Sequence, residues 1–150
     1  MKSSFKWLAV LVSVIAGMFI GFLWYGAFFN GAWSEAVGFT GPGLTEAGAE
    51  VLKYGQPVTL DPVTPMIINV GLMTLYAVFF GWLTGRTEDT TFGEGAMLGA
   101  VVGVVAAAGQ AVGNLFAMEP TVLSLIDGSY YIVLFAVIGG IMGGWRNRIS

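Results

Sequence analysis

Four long apolar runs alternate along the chain with short blocks that hold nearly all of its charges. These runs cover about residues 7–29, 66–85, 92–118 and 122–145. At about 1.5 Å per helical residue, each run is long enough to cross the ~30 Å hydrocarbon layer of a membrane. We therefore predict an all-α integral membrane protein, with four transmembrane helices packed as a four-helix bundle. One domain is expected to cover residues 1–150.

The composition excludes several classes of protein. Only 10% of the 150 residues are charged, whereas soluble domains average about 25%. The chain has no Cys and no His, which excludes thiol nucleophiles, disulfides, and metal or haem sites built from those side chains. The sequence has no run of basic residues of the kind that binds nucleic acids. We expect no catalytic activity, no metal and no other cofactor, with the lipid bilayer as a partner.

The six basic residues divide five to one between the two sides of the predicted bundle. Five lie near the termini or at Arg86, and Lys53 is alone in the long loop of residues 30–64. Loops that face the cytoplasm carry the excess of Lys and Arg. We therefore predict that both termini are cytoplasmic and that the loop faces outward.

Two connections carry signals for helix boundaries. In the long loop, Thr45 is a candidate N-cap, Lys53 would lie in the last turn, and Gly55 can end a helix. This pattern predicts a short helix that lies on the membrane surface. Thr91 and Glu94 have the spacing of a capping box and predict the start of the third span.

Small residues recur at one-turn spacing in three of the spans, where they let neighbouring backbones approach closely. They can pack helices within one bundle, or they can join subunits. Three such faces exceed what a bundle of this size needs, which favours a homo-oligomer or attachment to other membrane subunits. The predicted helix-packing residues are Gly17, Gly21, Gly99, Gly103, Ala106, Gly113, Gly139, Gly140, Gly143 and Gly144.

A faint internal repeat links the first and third spans. Residues 16–23 and 108–115 share the pattern Ala-Gly-x-x-(Ile/Val)-Gly-x-Leu. Duplication of a two-span unit would produce this match, and so would the frequency of Gly and Ala in membrane helices.

The strongly polar side chains within the spans are confined to the halves nearest the outward loop. At 1.5 Å per residue, they lie roughly 6–12 Å from the outer ends of the helices. Asp127 is the only carboxylate among them, and no polar route continues inward as in coupled transporters. The candidate ligand or partner site comprises Trp24, Tyr25, Asn69, Gln110, Asn114 and Asp127.

Two functions stay open at this point. The first is a non-catalytic protein that acts in assembly, as a homo-oligomer or as an accessory subunit of a membrane complex. In that case the polar residues join helices by hydrogen bonds of about 0.6–2 kcal/mol each. The alternative is a small-solute channel, transporter or ligand-binding protein with an outward-facing polar pocket.

The stretch GFLWYGAFFNGAW, Gly21 to Trp33, resembles the start of a bacterial membrane family called domain of unknown function 1761. In that family the first helix ends in Gly-x-x-Trp-Tyr, followed by an aromatic-Gly segment and a further Trp. The stretch from Asn114 to Trp145 resembles the family's ending. The resemblance implies a four-span, multi-pass protein of the bacterial inner membrane, and it supplies no established activity. The loop of residues 30–64 is longer than is usual for the family.

Overall fold

The computed structural model describes residues 7–40, 50–87 and 91–146. Within that part of the chain, four helices are long and apolar enough to span a membrane. The prediction of an all-α membrane bundle is confirmed, and the chain is a multi-pass membrane protein. The elements in chain order are α1 (Trp7–Gly21), a π-helical segment (Phe22–Phe28), α2 (Asn30–Ala36), β1 (Phe39–Thr40), β2 (Glu50–Lys53), β3 (Gln56–Thr59), α3 (Val63–Thr84), α4 (Phe92–Phe116) and α5 (Thr121–Arg146).

Helix α5 lies at the centre of the bundle. It contacts α1, α3 and α4, and 44% of its most apolar stretch is buried, against 17% in α3 and α4. Helices α1 and α3 also contact each other, so that α1, α3 and α5 share one apolar core. The largest fully buried apolar side chains of this core are Phe80, Met73, Leu134 and Ile138. Helix α4 packs almost wholly on α5, so most of its surface contacts no other helix.

Glycines allow α4 and α5 to approach backbone to backbone. A Cβ on Gly99 would fall on the carbonyl group of Phe135, and a Cβ on Gly95 would fall on the carbonyl of Gly139. No side chain larger than hydrogen fits at such a contact. Close packing of α4 on α5 therefore depends on these glycines.

The other predicted packing residues have different surroundings. A Cβ on Gly17 would lie 2.7 Å from the Met73 sulfur. No described atom lies within 4 Å of the Cβ position of Gly113, so Gly113 packs against none of the described helices. The predicted packing residues that lie against a neighbouring helix or its side chains are Gly17, Gly21, Gly99, Gly103, Ala106, Gly139, Gly140, Gly143 and Gly144.

Hydrogen-bonded caps define the starts of two helices. The capping box at α4 is confirmed: Glu94 N donates to Thr91 Oγ1 (3.3 Å), and Thr91 N donates to Glu94 Oε2 (2.7 Å). At α3, the Asp61 carboxylate accepts from the backbone amides of Val63 (3.1 Å) and Thr64 (3.2 Å). Each carboxylate satisfies amides that have no partner within their own helix.

The predicted helix in the long loop is wrong for residues 50–55. Strands β2 and β3 form an antiparallel hairpin with Val51 opposite Val58, and β1 pairs with β2. Tyr54 (φ 49°) and Gly55 (φ 79°) form its two-residue turn, because a pair of positive φ angles matches the twist of a hairpin. Val51 is buried between exposed neighbours, which is the alternation of a strand. Thr45 lies outside the described residues.

The three-stranded sheet distinguishes the two ends of the bundle. The connection from α4 to α5 lies at the same end as the sheet, because Tyr54 of the hairpin turn donates a hydrogen bond to Glu119. We call this the sheet end. The connection from α3 to α4 lies at the opposite end, with Trp7 and Arg146.

Candidate functional site

The Trp24–Tyr25 pair lies in the π-helical segment that continues α1. In this segment amides bond to carbonyls five residues earlier, and Phe29 N bonds to Trp24 O (2.9 Å). Because a π-helix has more residues per turn than an α-helix, consecutive side chains diverge less in direction. Trp24 and Tyr25 can therefore both reach α5. Such segments are rare and occur frequently at functional sites.

The two aromatic residues hold the first half of α5 by polar contacts. The Trp24 indole Nε1 donates to the carbonyl of Ile126 (3.2 Å) and to the hydroxyl of Ser129 (3.1 Å). The Tyr25 hydroxyl donates to Asp127 Oδ1 at 2.8 Å. Since these partners point from different sides of α5, the pair fixes the rotation of α5 relative to α1.

The amides of α4 contact the same part of α5. Asn114 is buried, and its Nδ2 donates to Ser124 Oγ at 3.1 Å. Gln110 lies one turn earlier on the exposed surface, and its Nε2 donates to Asn114 Oδ1 at 3.3 Å. Asn114 is also within interaction range of the Asp127 carboxylate. Polar groups of the π-helical segment, α4 and α5 therefore meet near the sheet end.

Aromatic rings connect this cluster to the sheet. The Tyr25 ring makes edge-to-face contacts with Trp33 of α2 (5.6 Å between centroids) and with Tyr130 of α5 (5.0 Å). Trp33 in turn packs on Phe39 of β1 at 6.2 Å. The ammonium group of Lys53 lies 5.2 Å from the centroid of the Phe39 ring. The sheet is thus attached to the bundle through side chains that also border the polar cluster.

The hairpin turn of Tyr54 and Gly55 attaches the sheet to the bundle at a second place. The Tyr54 ring covers Gly38, whose positive φ (76°) and lack of a side chain leave room for it. The Tyr54 hydroxyl lies 3.4 Å from both carboxylate oxygens of Glu119. Partial desolvation and the Glu119 charge raise the pKa of this hydroxyl. The sheet therefore contacts both α2 and the connection from α4 to α5.

The structure brings most of the predicted site residues together, with one exception. Asn69 stands apart from the cluster, and its Nδ2 lies 3.5 Å from the Met18 sulfur. Sequence reasoning missed Ser124 and Ser129, which lie three residues before and two residues after Asp127. The sequence could have indicated both serines, because a hydroxyl group in an apolar span needs a polar partner. The predicted residues of the cluster are Trp24, Tyr25, Gln110, Asn114 and Asp127.

The chemistry of the cluster is limited to neutral donors and one carboxylate. Asp127 accepts a hydrogen bond from the Tyr25 hydroxyl, and no ion pair involves it within residues 7–40, 50–87 and 91–145. Over the same ranges, no three His, Cys, Asp or Glu side chains are grouped to hold a metal ion. The arrangement can join helices and can accept a positively charged group.

A protein family matches most of the chain. The family described as "Protein of unknown function (DUF1761)" matches residues 8–143, a range that includes α3, α4 and the π-helical segment and nearly all of α1 and α5. The match confirms the resemblance seen in the sequence. No curated protein and no solved structure matches the chain.

Proposed function

The chain belongs to the DUF1761 family, whose function is unknown, and from this premise we propose that it is a non-catalytic membrane protein that assembles through α4. In this proposal α4 binds α4 of a second copy of the chain. Assembly, and not chemistry on a substrate, is then the role of the protein.

One observation carries the proposal: the small residues in the second half of α4 are uncovered. No described atom lies within 4 Å of the Cβ positions of Gly109 and Gly113. Gly17 and Gly21 occupy the matching places of the repeated pattern in α1, and both lie against side chains of other helices. The pattern of small residues that packs α1 against other helices is therefore uncovered in α4, where a second chain can pack against it.

Gln110 supports the same face. Its side chain is exposed, and its Oε1 has no hydrogen-bond partner in the described part of the chain. Gln110 and Gly113 are three residues apart and hence neighbours on the helix surface. Amides and small residues together are typical of helix–helix interfaces in membranes, where burial of apolar surface gives little driving force.

Native mass spectrometry in a mild detergent tests this proposal with a matched pair of variants. Gly113→Ile adds bulk to the uncovered face of α4, and Gly71→Ile adds the same bulk on α3, where no described atom lies within 4 Å either. We expect oligomers from the wild type and from the Gly71→Ile variant, and monomers from the Gly113→Ile variant. A strictly monomeric wild type without a co-purifying subunit would contradict the proposal. Co-purification of a different subunit would instead indicate an accessory role.

We also propose that the protein lies in a bacterial inner membrane with the sheet end outward. The excess of basic residues at the opposite end supports this orientation. Because the chain has no Cys, single replacements can be labelled specifically. A membrane-impermeant maleimide added to intact spheroplasts should label a Lys53→Cys variant and spare an Arg86→Cys variant. The reverse result would overturn the orientation.

A further inference from the structure

Asp127 is a half-buried carboxylate in a membrane-spanning helix, and none of the described side chains supplies an opposite charge for it. Its hydrogen-bond partner is the neutral Tyr25 hydroxyl at 2.8 Å, with the neutral Asn114 amide nearby. Charged groups are costly inside a bilayer, and they are usually paired or mark a binding site. Neutral donors offset only part of this cost, because the net charge remains.

The basic residue described at the sheet end does not fill this role. The Lys53 ammonium lies 5.2 Å from the centroid of the Phe39 ring and 6.0 Å from that of Tyr54, so it packs on the sheet. Arg86 lies at the opposite end, where its guanidinium stacks on Trp82 at 4.5 Å. The cation that would balance Asp127 must therefore come from outside the described part of the chain.

Three tyrosines that contact one another lie near the carboxylate. The Tyr25 and Tyr130 rings are 5.0 Å apart, the Tyr130 and Tyr131 rings are 5.6 Å apart, and Tyr131 lies one helical turn after Asp127. The faces of such rings attract cations, and a carboxylate among aromatic rings is suited to organic ammonium groups. A hard metal ion would need several oxygen ligands, and the described residues contain no group of three His, Cys, Asp or Glu side chains that could hold one.

The carboxylate is only partly covered by the described helices. Asp127 is neither buried nor fully exposed in the bundle. The hydrogen bond from Tyr25 is made to Oδ1 of the carboxylate. A small cation can therefore approach Asp127 without any change in the packing of the helices.

We propose that Asp127, together with the rings of Tyr25 and Tyr131, binds the ammonium group of a small organic cation. The cation is either a free alkylamine or the headgroup of an aminophospholipid, since both present the same chemistry. This site is independent of the proposed assembly through the uncovered face of α4, and either proposal can fail without the other.

Isothermal titration calorimetry on the full chain in a maltoside detergent tests the site. The probes are ethanolamine, choline, and 3,3-dimethylbutan-1-ol, which has the shape of choline without its charge. We expect at least one cation to bind at least about tenfold more tightly than the neutral alcohol. Asp127→Asn should weaken that binding by about tenfold or more. Glu119→Gln is the matched control, since Glu119 also faces a tyrosine hydroxyl. This substitution should leave the affinity for the cation unchanged.

Lipid retention distinguishes the two sources. Native mass spectrometry from nanodiscs of mixed phosphatidylethanolamine and phosphatidylglycerol should show retained phosphatidylethanolamine, lost in the Asp127→Asn variant, if the ligand is a headgroup. Binding of the free amines without such retention indicates a soluble ligand, and both results support the site. The site would be overturned if neither cation bound more tightly than the neutral alcohol and no aminophospholipid were retained, or if binding were unchanged in a folded Asp127→Asn variant. If that variant does not fold, the comparison of choline with the neutral alcohol on the wild type decides.

Discussion

Replacing the buried Gly99 by Ala should disrupt the contact between α4 and α5 far more than a methyl group added on the exposed side of α4. The new Cβ would lie 2.5 Å from the carbonyl carbon of Phe135 and 3.0 Å from the Cα of Ala136, whereas ordinary contacts begin at 3.4 Å. The backbones must therefore separate by at least about 0.9 Å, the difference between 3.4 and 2.5 Å, because the carbonyl oxygen of Phe135 lies even closer to the new Cβ than its carbon. A gap of this size forfeits about a quarter to a half of each dispersion contact that it opens. Overpacking costs about 1–3 kcal/mol, and we expect the upper end because both sides of the contact are backbone.

Gly109→Ala is the control on the same helix. No described atom lies within 4 Å of its Cβ position, and alanine is favoured over glycine in a helix interior by up to about 1 kcal/mol. Titration with sodium dodecyl sulfate in mixed micelles, followed by tryptophan fluorescence, gives the free energy of unfolding of each variant. Both variants gain the same helix propensity, so the overpacking cost alone separates them, and we expect Gly99→Ala to be less stable than Gly109→Ala by about 3 kcal/mol. Values within about 0.5 kcal/mol of each other would refute the backbone contact, since that is the scatter of neutral substitutions.

Three further changes are expected to have measurable effects. Ser13→Ala should leave the free energy of unfolding unchanged or raise it, because the Ser13 hydroxyl is buried without a hydrogen-bond partner; a clear loss in the same titration would contradict this. Thr91→Ala removes the capping box and should cost about 1 kcal/mol in that titration. Hydrogen bonds from the hydroxyl and amide of Thr64 lower the pKa of Asp61. The ionised Asp61 carboxylate therefore stabilises the start of α3 at pH values above its ordinary pKa, and this stabilisation is lost as the pH falls through the lowered pKa. The protection of the Val63 amide against hydrogen exchange, relative to its intrinsic rate at each pH, should therefore fall below about pH 4, and Asp61→Ala should lower this protection at neutral pH.

The spanning helices could be predicted because their signals are local. Apolar length and the spacing of charges suffice to find the spans, and the Thr91–Glu94 box needs only four consecutive residues. The hairpin of residues 50–59 was missed because Lys53 and Gly55 suit a helix end and a tight turn equally well. The π-helical segment has no sequence signal, since FLWYGAF would fit an ordinary membrane helix.

The site could be predicted only in part, because depth in the membrane does not fix direction around a helix. The positions of Tyr25 and Asp127 in their helices predict a similar depth in the membrane, and the two side chains form a hydrogen bond. Asn69 has a comparable depth and faces Met18 instead. For the same reason, helical spacing put Gly99 and Gly113 on one stripe, although only Gly99 contacts α5. The angle at which α4 crosses α5 decides this, and it is a property of the whole fold.

Disulfide cross-linking in native membranes tests assembly through α4 most directly. A Gly113→Cys variant places the only thiol of the chain on the uncovered face, and Ile67→Cys places one on the exposed surface of α3, also near the sheet end. A disulfide forms only when two Cα atoms come within about 4.4–6.8 Å. The proposal predicts that mild oxidation converts the Gly113→Cys variant to a covalent dimer and leaves the Ile67→Cys variant monomeric. Absence of a dimer at Gly113, or equal dimer yields at both positions, would contradict it.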